Sequence, residues 1–203
     1  PDGRRLEFTV ETAGESTEET DILDLIKQDF YAVGIKIYPR STQRDVFRRR
    51  IIAGQTVMSA WAGMDNGLVA ADMEPDAMAP TSSAQFNWPR WGQYLETGGR
   101  EGEAPDLPEA QELVSLYGEW RSSATREERR RIWRRMLEIN AEQLFAIGVV
   151  NATLQPVVVS RKLKNVPQKG LYSFEPGAFF GRYMPDTFWF DTTATAALDK
   201  AGG

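Results

Sequence analysis

The chain is predicted to be an α/β protein, a mixed sheet flanked by helices, and three observations predict it. Within the first 61 residues, short β-rich runs alternate with segments of helical period. Beyond a long Gly/Pro/Trp-rich connection, residues 108–143 carry two further helical repeats. Hydrophobic residues make up 41% of the 203 positions, enough to bury one sizeable core or two small ones.

Residues 6–10 (LEFTV) alternate and read as a strand. Thr20 or Asp21 can cap a helix whose apolar residues Ile22, Ile26, Phe30 and Val33 share one face. Gly34 stands where a left-handed residue ends such a helix. Residues 35–38 form a second strand, at the spacing that a parallel crossover requires. A helix over 43–53 turns Val46, Phe47, Ile51 and Ile52 inward and Arg44, Arg48, Arg49 and Arg50 mostly outward. Gly54 ends it, and residues 56–61 (TVMSAW) form a third strand.

Residues 62–107 show no sustained period and are expected to be an irregular loop. So long a connection in a compact domain usually carries function, because loops on a rigid scaffold are where binding groups collect. Pro108 suits the first position of a helix over 108–121, with Leu113, Leu116, Tyr117 and Trp120 on one face. Thr125 and Glu128 have capping-box spacing ahead of a helix over 126–143. Its inner face carries Ile132, Trp133, Met136, Leu137 and Asn140. Its six arginines, interspersed with Glu127, Glu128 and Glu138, form a solvated outer face. Residues 145–150 and 157–160 read as strands, and from Lys162 onward the chain is irregular and aromatic.

Composition excludes several chemistries. With no His and no Cys there is no imidazole or thiolate nucleophile, no Ser-His-Asp relay and no Cys/His zinc site. P-loop, EF-hand and GxGxxG motifs are absent. Asp72, Glu74 and Asp76 alternate without the offsets of a calcium loop and read as solvated. No metal or cofactor is expected. A net charge of −5 argues against nucleic acid as a partner. No apolar run approaches the ~20 residues needed to cross a bilayer. The chain opens Pro-Asp-Gly and enters a strand at once, as a piece of a longer protein would.

Four phrases carry a resemblance: DILDLIKQDFYAVGIKI (21–37), SAWAGMDNG (59–67), ERRRIWRRMLEINAEQLFAIGVVN (128–151) and FEPGAFFGRYMPDTFWFD (174–191). In this order and spacing, the chain from Leu6 to about Asp191 resembles the C-terminal part of an extracytoplasmic solute-binding protein of an ABC transporter, of the oligopeptide/dipeptide/nickel-binding family. The resemblance implies a type II periplasmic-binding-protein lobe. Residues 1–163 would form most of the second lobe, and 164–203 the return toward a first lobe lying outside this chain. It also implies a periplasmic location, a membrane permease as partner and a small ligand, peptide or oligosaccharide, enclosed between lobes. Opines remain a further option. No bond is made or broken.

In peptide-binding members, a Trp and then an Asp follow the strand that enters the long loop, and the Asp pairs with the ligand's α-amino group. The matching text here is Trp61, Ala62, Gly63, Met64, Asp65. The spacing is one residue longer than in those members, and Asn66-Gly67-Leu68 replaces their acidic-aromatic text, which leaves the role of Asp65 open. Asp65 either binds a ligand ammonium or serves the Asp-Asn-Gly turn. Trp61 is either a cleft wall or a strand-end core residue. Trp88 either stacks on a ligand or pins the loop. The candidate ligand-binding set is Trp61, Ala62, Gly63, Met64, Asp65, Asn66 and Trp88. Two readings of other classes stay beside it: a carboxylate-based glycoside hydrolase, and an interaction domain docking through its aromatic tail.

Overall fold

The computed structural model describes residues 3, 5–15, 17–63, 70–150, 154, 156–170 and 183–192. The chain divides into two compact units, one of residues 1–63 with 71–147, the other of 64–70 with 148–203.

The first unit opens with β1 (Leu6–Ala13), α1 (Thr17–Ala32), β2 (Ile35–Thr42), α2 (Arg44–Ile52) and β3 (Met58–Ser59). The three strands form a parallel sheet in the order β2-β1-β3, with Leu6 opposite Ile35 and Val10 opposite Met58. This is the α/β class that the alternation predicts. α1 begins a turn before the expected cap, with Glu18 and Glu19 in its first turn, where carboxylates favour the positive end of the dipole. Gly34 and Gly54 adopt φ of 84° and 68° and turn the chain out of α1 and α2.

Alternation along β1 divides the packing between two faces. Val10 and Ile37 meet Leu23 of α1, with Phe8 and Phe30 edge-to-face at 6.5 Å. On the other parity, Ala13 meets Phe47 and Ile51 of α2, joined by Trp61 and Phe86. Pro39 lies inside β2, and only an edge strand tolerates the missing N–H. Val33, expected inside, is exposed, because it falls past the last turn of α1.

Residues 62–107 are less irregular than expected. A 3-10 turn (Asp76–Met78) and a helix, α3 (Pro89–Glu96), lie within them. Pro89 starts α3 and Gly92 sits in its middle, so both read as breakers in the sequence. Gly92 has a packing reason: a Cβ there would stand 2.1 Å from the Ser82 carbonyl oxygen. Helices α4 (Pro108–Ser122) and α5 (Arg126–Gln143) follow. The Thr125–Glu128 capping box is formed, with Glu128 N donating to Thr125 Oγ1 at 3.2 Å and Thr125 N to Glu128 Oε2 at 3.1 Å. Leu113, Leu116, Ile132, Trp133, Met136 and Ile139 build a core with Met78 and Trp88. Leu137, expected inside, is exposed on the other side of α5.

The expected strands over 145–150 and 157–160 are not formed. Val149, Val150, Val157 and Val158 are exposed, since β-branched residues make a strand only where a neighbouring strand receives their hydrogen bonds. The third strand, expected over 56–61, is cut to two laddered residues, Met58 and Ser59, opposite Val10 and Glu11. In the second unit, β4 (Leu163–Lys164) and β5 (Trp189–Phe190) pair antiparallel in a stretch expected to be irregular. Asn165 Nδ2 ties that pair to Thr187 Oγ1 at 2.9 Å.

Candidate functional site

Ligands of open α/β sheets bind beyond the carboxyl ends of the strands. Here those ends converge on one side chain. Arg44 opens α2 directly after β2. Its Nη1 lies 3.3 Å from Glu15 Oε2, just after β1, and its guanidinium stands 5.0 Å from the ring centroid of Trp61, just after β3. Arg48, one turn along α2, lies over Phe86 at 5.9 Å and forms no ion pair among the described residues.

Below these guanidiniums is an aromatic floor. The rings of Phe47 and Trp61 are 5.6 Å apart, Phe47 and Phe86 5.5 Å, and Trp61 and Phe86 5.1 Å. Phe47 is fully buried and Trp61 half-buried. Trp61 is thus a strand-end packing residue that keeps part of its surface exposed at the strand ends. Ala62 and Gly63 are exposed beyond it. Met64, Asp65 and Asn66 lie outside the described residues.

A buried ion pair holds the floor to the sheet. Glu11 on β1 is 3% exposed, and Arg50 Nε donates to its Oε1 and Oε2 at 3.2 and 2.8 Å, with Nη2 reaching Oε1 at 2.7 Å. The fork geometry joins α2 to the strand in one orientation. The Arg50 hydrogen bonds hold the Glu11 carboxyl below the usual range, against the opposing effect of burial. The Glu11 carbonyl also accepts from Ala60 N at 2.9 Å, which sets the path into Trp61.

Trp88 lies apart from this floor. It is 3% exposed in the helical core, packed at 5.1 Å against Phe145, and its Nε1 donates to Gln85 Oε1 at 2.8 Å. That is the position of a side chain that pins the loop. The carboxylates read as solvated are exposed and also have partners: Asp72 pairs with Arg126 and Arg129, both at 3.3 Å, Glu74 accepts from the Tyr117 hydroxyl, and Asp76 Oδ1 accepts from Ala77 N at 2.8 Å. No group of three or more Asp or Glu suited to a metal ion occurs among the described residues.

Sequence reasoning did not select Arg44, Arg48, Phe86 or the Glu11–Arg50 pair. The signal present was the i, i+4 spacing of Arg44 and Arg48 on a helix that starts at a strand end. Phe86 carried no local signal, because only the fold of the long connection brings it to Trp61.

The arrangement defines an α/β lobe with a cationic, aromatic-backed surface at its strand ends. The sequence matches no protein-family model and no curated protein. Among solved structures, it is similar to the oligopeptide-binding protein OppA, with TM-score 0.59 and 23% identity, over 71% of this chain and 24% of that one. It is also similar to NikA from Brucella suis, solved in complex with Fe(III)-EDTA, with TM-score 0.49 and 16% identity, over 70% of this chain and 25% of that one. The chain thus spans about a quarter of the length of these structures. The likeness to OppA is one of fold.

Proposed function

We propose that this chain is the second lobe of a solute-binding receptor that serves an ABC importer. Residues 1–163 form most of that lobe, and 164–203 return toward a first lobe supplied by polypeptide outside this chain. The receptor captures a solute, a peptide by preference, outside the cytoplasmic membrane and passes it to a permease. The observation that carries this reading is the OppA-like fold across 71% of the chain, at one quarter of the length of OppA. Trp61, Ala62 and Gly63 are proposed to line the ligand beside the aromatic floor, with hinge closure bringing the first lobe over them.

The test is calorimetry on the complete polypeptide of the parent reading frame beside residues 1–203 alone. The complete protein is expected to bind short peptides at micromolar or better affinity. Residues 1–203 should bind them at least ~100-fold more weakly, because half the enclosing surface is missing. A complete protein that retains neither peptide nor oligosaccharide would sink the receptor reading.

A further inference from the structure

We propose that Arg44 and Arg48 form an oxyanion-recognition site, so that the ligand approaching the strand ends carries a carboxylate or phosphate. The proposal rests on the receptor reading only for the biological role of that ligand.

At the carboxyl ends of β1, β2 and β3, Phe47 is buried and the Trp61 and Phe86 rings are only part-exposed. Trp61 is packed by Phe47 at 5.6 Å and Phe86 at 5.1 Å, and the Arg44 guanidinium stands over it at 5.0 Å. A ligand arriving there meets guanidinium first. Both arginines are exposed and backed by rings, Arg44 by Trp61 and Arg48 by Phe86. A ring beside the guanidinium restrains the long side chain and leaves its N–H groups able to donate. Less entropy is then lost when they grip an oxyanion. Arg44 and Arg48 are one helical turn apart on α2, and the rings that back them, Trp61 and Phe86, are 5.1 Å apart.

The present partner of Arg44 supports the same chemistry. It is a carboxylate, Glu15, at 3.3 Å, with both side chains about half exposed. A pair so open to water is weak and exchangeable. Glu15 thus occupies the place that a ligand carboxylate would take, and Arg48 next to it forms no ion pair among the described residues. Arg50, by contrast, is committed to Glu11 through three short contacts and is not available.

The experiment is an NMR titration of residues 1–203, following arginine Nε–Hε and tryptophan indole signals. The probes are N-acetyl-alanyl-alanine as free acid, the same compound as C-terminal amide, and inorganic phosphate. The acid is expected to shift the Arg44, Arg48 and Trp61 signals saturably, with the amide leaving them in place. Phosphate acting like the acid would make the site general for oxyanions, and silence from phosphate would narrow it to carboxylates. Either supports the proposal. R44Q and R48Q should each weaken the acid by about tenfold, as expected for loss of a charge-assisted partner. E15Q should strengthen it, since the internal competitor is gone, and a purely structural Arg44–Glu15 pair would not give that gain. Equal shifts with acid and amide, no response to the acid, or no effect of R44Q and E15Q would overturn the proposal. Binding of the amide elsewhere on the chain, with both arginines silent, would overturn it and leave the receptor reading intact.

Discussion

The connection that leaves β3 is held differently at its two ends. Residues 71–78 form a belt tied down by side chains of α4 and α5. Trp120 Nε1 donates to the Ala71 carbonyl at 2.9 Å, Trp133 Nε1 to that of Met73 at 3.0 Å, and Asn140 Nδ2 to that of Met78 at 3.1 Å. Tyr117 holds Glu74, and Arg126 and Arg129 hold Asp72. At the other end, Trp61 is wedged among Phe47, Phe86 and Arg44, and Ala62 and Gly63 are exposed beyond it. A loop with no period of its own takes its course from polar tips on large, buried residues elsewhere. The helices fix its return and the sheet fixes its departure.

The strongest way to break that contrast is Trp133→Ala. Trp133 fills the helical core and holds the belt by one hydrogen bond, so its loss costs both packing and a partner for the Met73 carbonyl. A loss of about 3–5 kcal/mol is expected in denaturant unfolding. A loss no greater than that of a typical surface substitution would mean that the belt is held by its own backbone.

The next largest effect is expected at the sheet end, from Arg50→Met. It leaves the buried Glu11 carboxylate without its guanidinium, which costs more than an exposed pair would. Its effect should fall between those of the other two substitutions. The pH dependence identifies the cause. The folded-state pKa of Glu11 is depressed below its ordinary 4.5. Its contribution is therefore present above the unfolded value and is lost as pH falls through the folded one. Wild type should lose stability on acidification below pH 4.5 more steeply than Arg50→Met. Parallel acid profiles would remove the pair from the account.

Much of this fold was legible in the chain, for physical reasons that differ by element. The crossovers through α1 and α2 could be read because helical period and a closing glycine agree, although α1 starts a turn ahead of its expected cap and Gln43 makes no side-chain cap bond. The Thr125 capping box is a purely local interaction and needs nothing else. What failed was non-local. α3 looks like a breaker-rich loop until Ser82 is seen to demand Gly92. Val149, Val150, Val157 and Val158 have strand propensity, yet none of them lies in a ladder among the described residues. At the candidate site, Trp61 was visible as the end of a β-rich run. The guanidiniums above it were legible only as mostly outward, since the sequence shows that a helix starts after β2 but not which strand ends its first turn covers.

The smallest expected effect is also the most selective probe of the belt. Tyr117 donates its hydroxyl proton to Glu74, and removal of that hydroxyl by Tyr117→Phe should cost about 1 kcal/mol, the worth of one hydrogen bond. Burial first, and then the hydrogen bond to Glu74, raise the Tyr117 pKa from 10.0 to about 12. A raised folded-state value means that the stabilisation is complete below pH 10 and is lost as pH rises through about 12. Ultraviolet titration of the phenolates should then show a late-titrating tyrosine that is missing from Tyr117→Phe. Stability measured across that alkaline window should fall for wild type and stay flatter for the variant. If the variant loses stability equally at neutral and alkaline pH, the hydroxyl is not what ties Glu74 to α4, and the belt is held by the indoles of Trp120 and Trp133 instead.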